Sequence, residues 1–367
     1  MDIIFRTLTY LRTFLPSSLG SIRLLESSTQ RQRPALIGLL IDISGTLHVG
    51  KTPTPDAVRA FERLKESQVQ NNGSGGGSGI PFRLCSNSSK ESTESLVRRL
   101  EDMGFGVTEV EERINRNVNG SKRLVWTSIG AVAQKVQDMG LRKPYLLLSP
   151  SAAEEVKPGD DNANANKDAD YDAVVVGLHP SSFNYETLNT AFRILKGEQN
   201  TITGTKKGPN SSTPAPIIAT HKAKYIQTEN GLSLGPGPFV TALENASGVD
   251  AIVMGKPTRS FFEMTIKDFG QELGGEHEKD GSRGRIAIIG DDVEADLGGG
   301  ALELGLWRVL VRTGKYRSGD EVRPGVTPPD EIFDSFAAFI DSLVPLSNTG
   351  ETSGVTTTAP DSGRHTS

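Results

Sequence analysis

Leu36-Ile37-Gly38-Leu39-Leu40-Ile41-Asp42-Ile43-Ser44-Gly45-Thr46-Leu47 is an apolar run that is interrupted by an acid and then by a hydroxyl and a glycine. A continuous aliphatic run of this length suits a strand covered on both faces, as in a parallel sheet. In open α/β sheets ligands bind outside the carboxyl ends of the strands, which places the carboxylate of Asp42 where chemistry occurs. Taken alone, the same residues read as an acidic turn or a helix cap. The rest of the chain decides between the two.

Downstream, residues 56–66 carry Ala57, Ala60, Phe61 and Leu64 at helical spacing, and residues 82–86 read as a second strand, completing a βαβ unit. Further strands are expected at 145–148, 173–176, 216–219, 251–254, 285–289 and 308–311, with helices between most of them. This alternation predicts an α/β fold with a Rossmann-like, mainly parallel sheet. Three polar stretches, 71–79, 157–168 and 196–213, read as loops. The Thr/Ser/Gly-rich tail 347–367 is expected to be disordered.

The 367 residues carry a formal charge of -5, which argues against a nucleic-acid partner. No apolar run approaches the roughly 18 residues needed to span a bilayer, so no membrane partner is expected. The single cysteine, Cys85, cannot form an internal disulfide and points to a reducing compartment, the cytoplasm. Residues 1–34 hold five arginines and two acids, Asp2 and Glu26. That composition suits either a disordered extension or a weak targeting segment with a mitochondrial address.

Three more strand ends carry polar groups. Arg285-Ile286-Ala287-Ile288-Ile289-Gly290 runs into Asp291 and Asp292, with Asp296 further on. Carboxylates gathered at one sheet edge raise one another's pKa unless a cation lies among them, and Mg2+ is the hard oxygen-loving ion that fits best. Phe82-Arg83-Leu84-Cys85 runs into Ser86-Asn87-Ser88-Ser89, a hydroxyl and a set of backbone N–H groups suited to a phosphate. Ile252-Val253-Met254-Gly255 runs into Lys256-Pro257, whose ammonium can balance nucleophile and phosphate charge. Each segment alone has a bland reading as a solvated loop, a turn or a surface lysine. Their combination is the signal.

Other chemistries fit less well. No arginine follows Cys85 as a thiolate phosphatase requires, so Cys85 reads as a packing residue. Residues 248–256 have the wrong glycine spacing for a P-loop, and Pro257 stands where a Mg2+-binding hydroxyl belongs. His48 and His221 lack partners at zinc-ligand spacing. His48 is expected at the site entrance, His221 near a cap hinge, and Gly235-Pro236-Gly237 as a linker hinge.

Acid, hydroxyl, lysine and acid pair, in that order and each at its own strand end, resemble the four motifs of the haloacid dehalogenase superfamily. Val174-Val175-Val176-Gly177-Leu178, Ile218-Ala219-Thr220-His221 and Gly235-Pro236-Gly237-Pro238-Phe239 are similar to cap and cap-exit sequences of its subgroup with a large inserted α/β cap. The resemblance spans residues 36–343, interrupted by the three loops. It implies a hydrolase core over 35–111 and 237–346, a C2-type cap over 112–236, and a homodimer through the cap as an option. It further implies Mg2+-dependent hydrolysis of a small phosphorylated substrate through an aspartyl-phosphate on Asp42. By the same resemblance Asp42 is nucleophile and metal ligand, and Ser44 offers its backbone carbonyl to the metal and contacts substrate. Asp291 completes the protein ligands, and Ser86 and Asn87 bind phosphate. Lys256 orients Asp42 and contacts substrate, while Asp292 and Asp296 hold metal-bound waters and Lys256.

The chain departs from the pattern at Ser44. Most phosphatases of the superfamily carry a second aspartate there, which protonates the leaving oxygen and later activates water. Losing such a group costs about 10²–10⁴ in rate, and less when the leaving group needs no proton. A phosphoramidate or pyrophosphate is such a substrate; the alternative is a catalytically impaired phosphate- or metal-binding protein.

Overall fold

In the computed structural model, which describes residues 32–69, 79–116, 122–157, 170–198, 214–228, 230–273 and 284–344, the run Leu36–Asp42 is strand β1. Its wholly buried side chains alternate between two cores: Leu39 and Ile41 pack on one face of the sheet, Leu40 on the other. That is the period of two expected of a strand between helical layers. Everything below lies in the unit that begins at Pro34. The readings of 1–34, of 347–367 and of the three loops fall outside the described residues, apart from their margins.

A two-residue antiparallel pair follows, β2 (His48–Val49) with β3 (Thr52–Pro53), then α1 (Ala57–Val69) and β4 (Phe82–Ser86). Next come α2 (Thr93–Asp102), α3 (Val107–Asn115), β5 (Val125–Thr127) and α4 (Ser128–Asp138). The middle of the chain supplies β6 (Pro144–Leu147), α5 (Pro150–Val156), β7 (Ala173–Val176), α6 (Tyr185–Leu195) and β8 (Ile217–Ala219). The hairpin β9 (Tyr225–Thr228) and β10 (Gly231–Leu234) leads to α7 (Gly237–Ser247) and β11 (Ala251–Val253). The chain closes with α8 (Arg259–Phe269), β12 (Arg285–Gly290), α9 (Gly300–Glu303), β13 (Trp307–Val311), β14 (Glu331–Phe333) and α10 (Phe336–Leu343).

Six strands form a parallel sheet in the order β14-β13-β12-β1-β4-β5, and four form a second parallel sheet in the order β11-β8-β7-β6. The mainly parallel α/β architecture expected from the sequence is present. From β1 the larger sheet grows toward β4 and β5 on one side and toward β12, β13 and β14 on the other. The strand order therefore reverses between β1 and β12, which run side by side with Leu40 opposite Ile288 and Ile41 opposite Ile289. That reversal is where open sheets leave a crevice at the carboxyl ends of their strands. Among the described residues no helix is long and apolar enough to cross a membrane.

The division between the sheets differs from the expected insert of 112–236. Strand β5 lies inside that span yet pairs with β4 in the larger sheet, Cys85 opposite Trp126. Helix α7 and β11 lie beyond it yet belong with the smaller sheet: Val240 and Leu243 share an apolar cluster with Val174 and Val176, Phe239 stacks on Phe183 at 3.9 Å, and Ile252 pairs with Ile218. Gly235-Pro236-Gly237 accordingly enters helix α7 and is not a linker between the two sheets. The reason is physical: both sheets are parallel and covered, so their strands carry the same apolar signature, and a three-residue strand shows no period of its own.

Candidate active site

Because β1 and β12 are neighbours, Asp42 at the end of β1 and Asp291 just beyond β12 meet. The turn after β12 folds back, with the Asp292 N–H donating to Asp296 Oδ2 at 3.2 Å, and brings Asp296 to the same place. Asp42, Asp291 and Asp296 are buried and each offers an oxygen within 4.8 Å of the others. Lys256, wholly buried, donates to Asp42 Oδ1, to Asp296 Oδ1 at 2.8 Å and to the Cys85 carbonyl at 3.3 Å. Thr46 Oγ1 donates to Asp42 Oδ2 at 3.0 Å.

Asp291 is held by backbone. Its Oδ2 accepts the Lys315 N–H at 2.6 Å, and the Thr313 hydroxyl donates to the Gly45 carbonyl at 2.5 Å, tying the loop after β13 to the loop after β1. Gly45 and Gly314 have φ of +104° and +53°, and a Cβ on either would stand 2.0 or 2.1 Å from Asp291 Oδ2. Glycine is therefore required twice at this carboxylate, for conformation and for space. The other oxygen, Oδ1, is buried and has no hydrogen-bond partner among the described residues.

The carboxylates are electrostatically uneven. Burial, and next Asp296, push Asp42 up to about 6 against the pull of Lys256. Burial and Asp296 raise Asp291 well above the usual carboxylate range. Burial acts the same way on Asp296, but Lys256 and Lys315 outweigh it and hold that group low. Burial works against the Lys256 charge, yet Asp296 and Asp42 hold the ammonium above ordinary lysine. An all-oxygen set with one orphaned buried oxygen is what a hard divalent cation satisfies, so the residues present fit such an ion.

These groups floor a cavity of about 400 Å³ whose far wall comes from the smaller-sheet region through Leu178, His221 and Ile226. Ser44 is exposed and lines the cavity. Ser86 is buried and accepts the Ser88 N–H at 3.0 Å, an arrangement that leaves its hydroxyl proton for a ligand. His221, at the carboxyl end of β8, accepts the Ala223 N–H at Nδ1 (3.3 Å), so its proton sits on Nε2; burial, then Lys315 and Lys256, push it down to about 3. His48 also lines the cavity, with Arg99 Nη1 3.1 Å from its Nε2, and is pushed down to about 4 by burial and then Arg99. Both imidazoles are neutral near pH 7. Cys85 is buried in the core, its thiol pushed up to about 12 by burial, as suits a packing residue.

The geometry adds to the expected role of Asn87 and differs from two others, those of Lys256 and Asp292. The Asn87 amide accepts the Lys256 N–H and donates one of its two protons to the Lys256 carbonyl, both at 2.9 Å, so it clamps the lysine backbone while lining the cavity, with its second amide proton left for a ligand. Lys256 has three donors and three acceptors, which leaves none for substrate. Asp292 faces away from Lys256: its Oδ1 accepts the N–H groups of Glu294 and Ala295 at 3.0 and 2.9 Å, and its Oδ2 lies 3.4 Å from Lys315 Nζ. The sequence reading passed over Thr46 and the Thr313-Gly314-Lys315 loop. The latter follows a buried strand as the other motifs do, and that strand-end position was the available signal.

Residues 39–158 match the family described as haloacid dehalogenase-like hydrolase, and residues 253–339 the one described as HAD-hydrolase-like. The human haloacid dehalogenase-like hydrolase domain-containing protein 2 is 34% identical over 84% of this chain and 96% of its own length. The human phospholysine phosphohistidine inorganic pyrophosphate phosphatase is 31% identical over 84% of this chain and 94% of its own. Among solved structures, a 4-nitrophenylphosphatase from Thermotoga maritima superposes with a TM-score of 0.59 at 21% identity, covering 83% of this chain and 97% of that one. A glycerol phosphate phosphatase from Mycobacterium tuberculosis, solved in complex with calcium, gives 0.55 at 23%, covering 82% and 74%.

Proposed function

The chain belongs to the haloacid dehalogenase-like hydrolases and is a phosphatase of that family; from that premise we propose that it is Mg2+-dependent and works through an aspartyl-phosphate on Asp42. The observation that carries this reading is the buried trio Asp42, Asp291 and Asp296, with Asp291 Oδ1 unsatisfied, opening on one cavity. Asp42, Asp291 and the Ser44 backbone carbonyl would hold the ion, which when bound offsets carboxylate and phosphate charge.

The Asp42 carboxylate attacks phosphorus, the bond to the leaving group breaks with its electron pair going to that group, and an acyl phosphate remains on Asp42. Water then attacks the same phosphorus, releasing inorganic phosphate and restoring the carboxylate. Lys256 and Thr46 each hold one oxygen of Asp42 and so fix its orientation. The Ser86 hydroxyl and the backbone after it receive the phosphoryl oxygens. With serine at position 44, no side chain there supplies a proton to the leaving group. This favours phosphoramidates and pyrophosphate over alkyl phosphates, as does the name of the human relative that acts on phospholysine, phosphohistidine and pyrophosphate. The buried single thiol suits a reducing compartment such as the cytoplasm.

Phosphate release from p-nitrophenyl phosphate, pyrophosphate and phospholysine tests the reading. It should require Mg2+, vanish in Asp42→Asn and be fastest on the last two. Ser44 also motivates a second reading, a protein that binds phosphate and metal without turnover. Binding of both with no release from any of the three substrates would favour it.

A further inference from the structure

The protons of Lys256 are occupied by Asp42, Asp296 and the Cys85 carbonyl, and its side chain is wholly buried. A phosphoryl group in transfer nevertheless needs positive charge and donors at its oxygens. A second lysine stands at the cavity. Lys315 follows β13 through Arg312-Thr313-Gly314, and its backbone N–H, not its side chain, is what holds Asp291. Among the described residues its ammonium has one carboxylate within 4.0 Å, Asp292 at 3.4 Å, a long and loose pair. The Lys315 side chain keeps 19% exposure, where that of Lys256 keeps 0%, and it lines the cavity. Its charge acts on Asp42, Asp291 and Asp296 on the floor and on His221 on the facing wall.

We propose that Lys315 is the cation that faces the substrate phosphate: its ammonium donates to a non-bridging phosphoryl oxygen, while Lys256 is confined to positioning Asp42. The proposal rests on the phosphohydrolase reading and deepens it. An ordinary lysine ammonium is charged throughout the neutral pH range. Lys315 therefore supplies fixed charge and not a transferable proton. Fixed charge helps most where the leaving group departs without protonation, the substrate class that Ser44 already favours.

The test is calorimetric titration of inorganic phosphate in saturating Mg2+, and of Mg2+ alone, on the unmodified protein, Lys315→Gln and Lys315→Arg. Losing one charge-assisted hydrogen bond should weaken phosphate binding by about tenfold to a hundredfold in Lys315→Gln, with Lys315→Arg within about threefold of the unmodified protein. Mg2+ affinity in Lys315→Gln should be unchanged or tighter, because a positive charge has left the site. Unchanged phosphate affinity in Lys315→Gln would overturn the proposal. So would a joint loss of phosphate and Mg2+ affinity, which would make the residue structural. If Lys315→Gln does not stay folded, Lys315→Met keeps the aliphatic stem and is read the same way. Hydrolysis by an unmodified protein with no phosphate affinity overturns the assignment and spares the phosphohydrolase reading; Lys315-dependent phosphate affinity with no hydrolysis does the reverse.

Discussion

Asp42 carries a charge that its surroundings resist. Its pKa of about 6 in the folded, metal-free protein lies above the usual value of 3.8, so the fold favours the protonated form. That contribution to stability is fully present below the unfolded value and is lost as pH rises through about 6. Asp42→Asn removes the titration. Its thermal stability in EDTA should equal or trail that of the unmodified protein near pH 4 and exceed it at pH 7.5, by on the order of 3 kcal/mol. An advantage that shrinks with rising pH would contradict the electrostatics described here. Ser44→Asp tests the missing acid. Since the side chain is exposed at the cavity, the substitution carries no burial cost and should raise turnover of alkyl phosphates by about tenfold or more. A fall in turnover would mean that serine is required by packing or by metal geometry. Asp42, Asp291 and Lys256 were legible because each is the first polar residue after an apolar strand run. The Asn87 clamp was not, because an amide that pairs with a distant backbone leaves no pattern in the chain.

The strands that carry the motifs, β1, β4, β11 and β12, could be read from their apolar runs, and so could the three-residue β8, whereas β5 (Val125-Trp126-Thr127) and β14 (Glu331-Ile332-Phe333) are short and have no aliphatic run to mark them. The contact of α5 with the start of α2 was equally hidden, yet it braces the loop that follows β4. Glu155 accepts the Thr93 N–H at 2.6 Å and its hydroxyl at 2.7 Å, Ser151 Oγ accepts the Ser92 N–H at 3.0 Å, and the Ser149 hydroxyl donates to the Lys90 carbonyl at 2.7 Å. A carboxylate at a helix N-terminus satisfies orphan N–H groups and the helix dipole together. Glu155→Ala should therefore lower unfolding stability by about 1–3 kcal/mol in urea, with Glu155→Gln losing less. No change in the midpoint for Glu155→Ala would show that the contact contributes nothing.

Across the whole molecule, the pairing of β1 with β12 is what brings residues 42 and 291 to one point, and the smaller sheet closes the cavity over them. The sequence disclosed which strand ends bring polar groups to the cavity but not which sheet each strand joins, since two covered parallel sheets have one signature. An ion that binds both carboxylates stabilises the entire fold: Mg2+ at a hundredfold excess over its Kd should add about 2.7 kcal/mol. That increment should disappear in Asp291→Asn; its survival would place the ion elsewhere. The most direct measurement is acid quenching during turnover of radiolabelled pyrophosphate, followed by mapping of the labelled peptide. A hydroxylamine-labile label should appear on Asp42, need Mg2+ and be absent from Asp42→Asn. Phosphate release with no label on Asp42, or with label at another residue, would contradict the aspartyl-phosphate route.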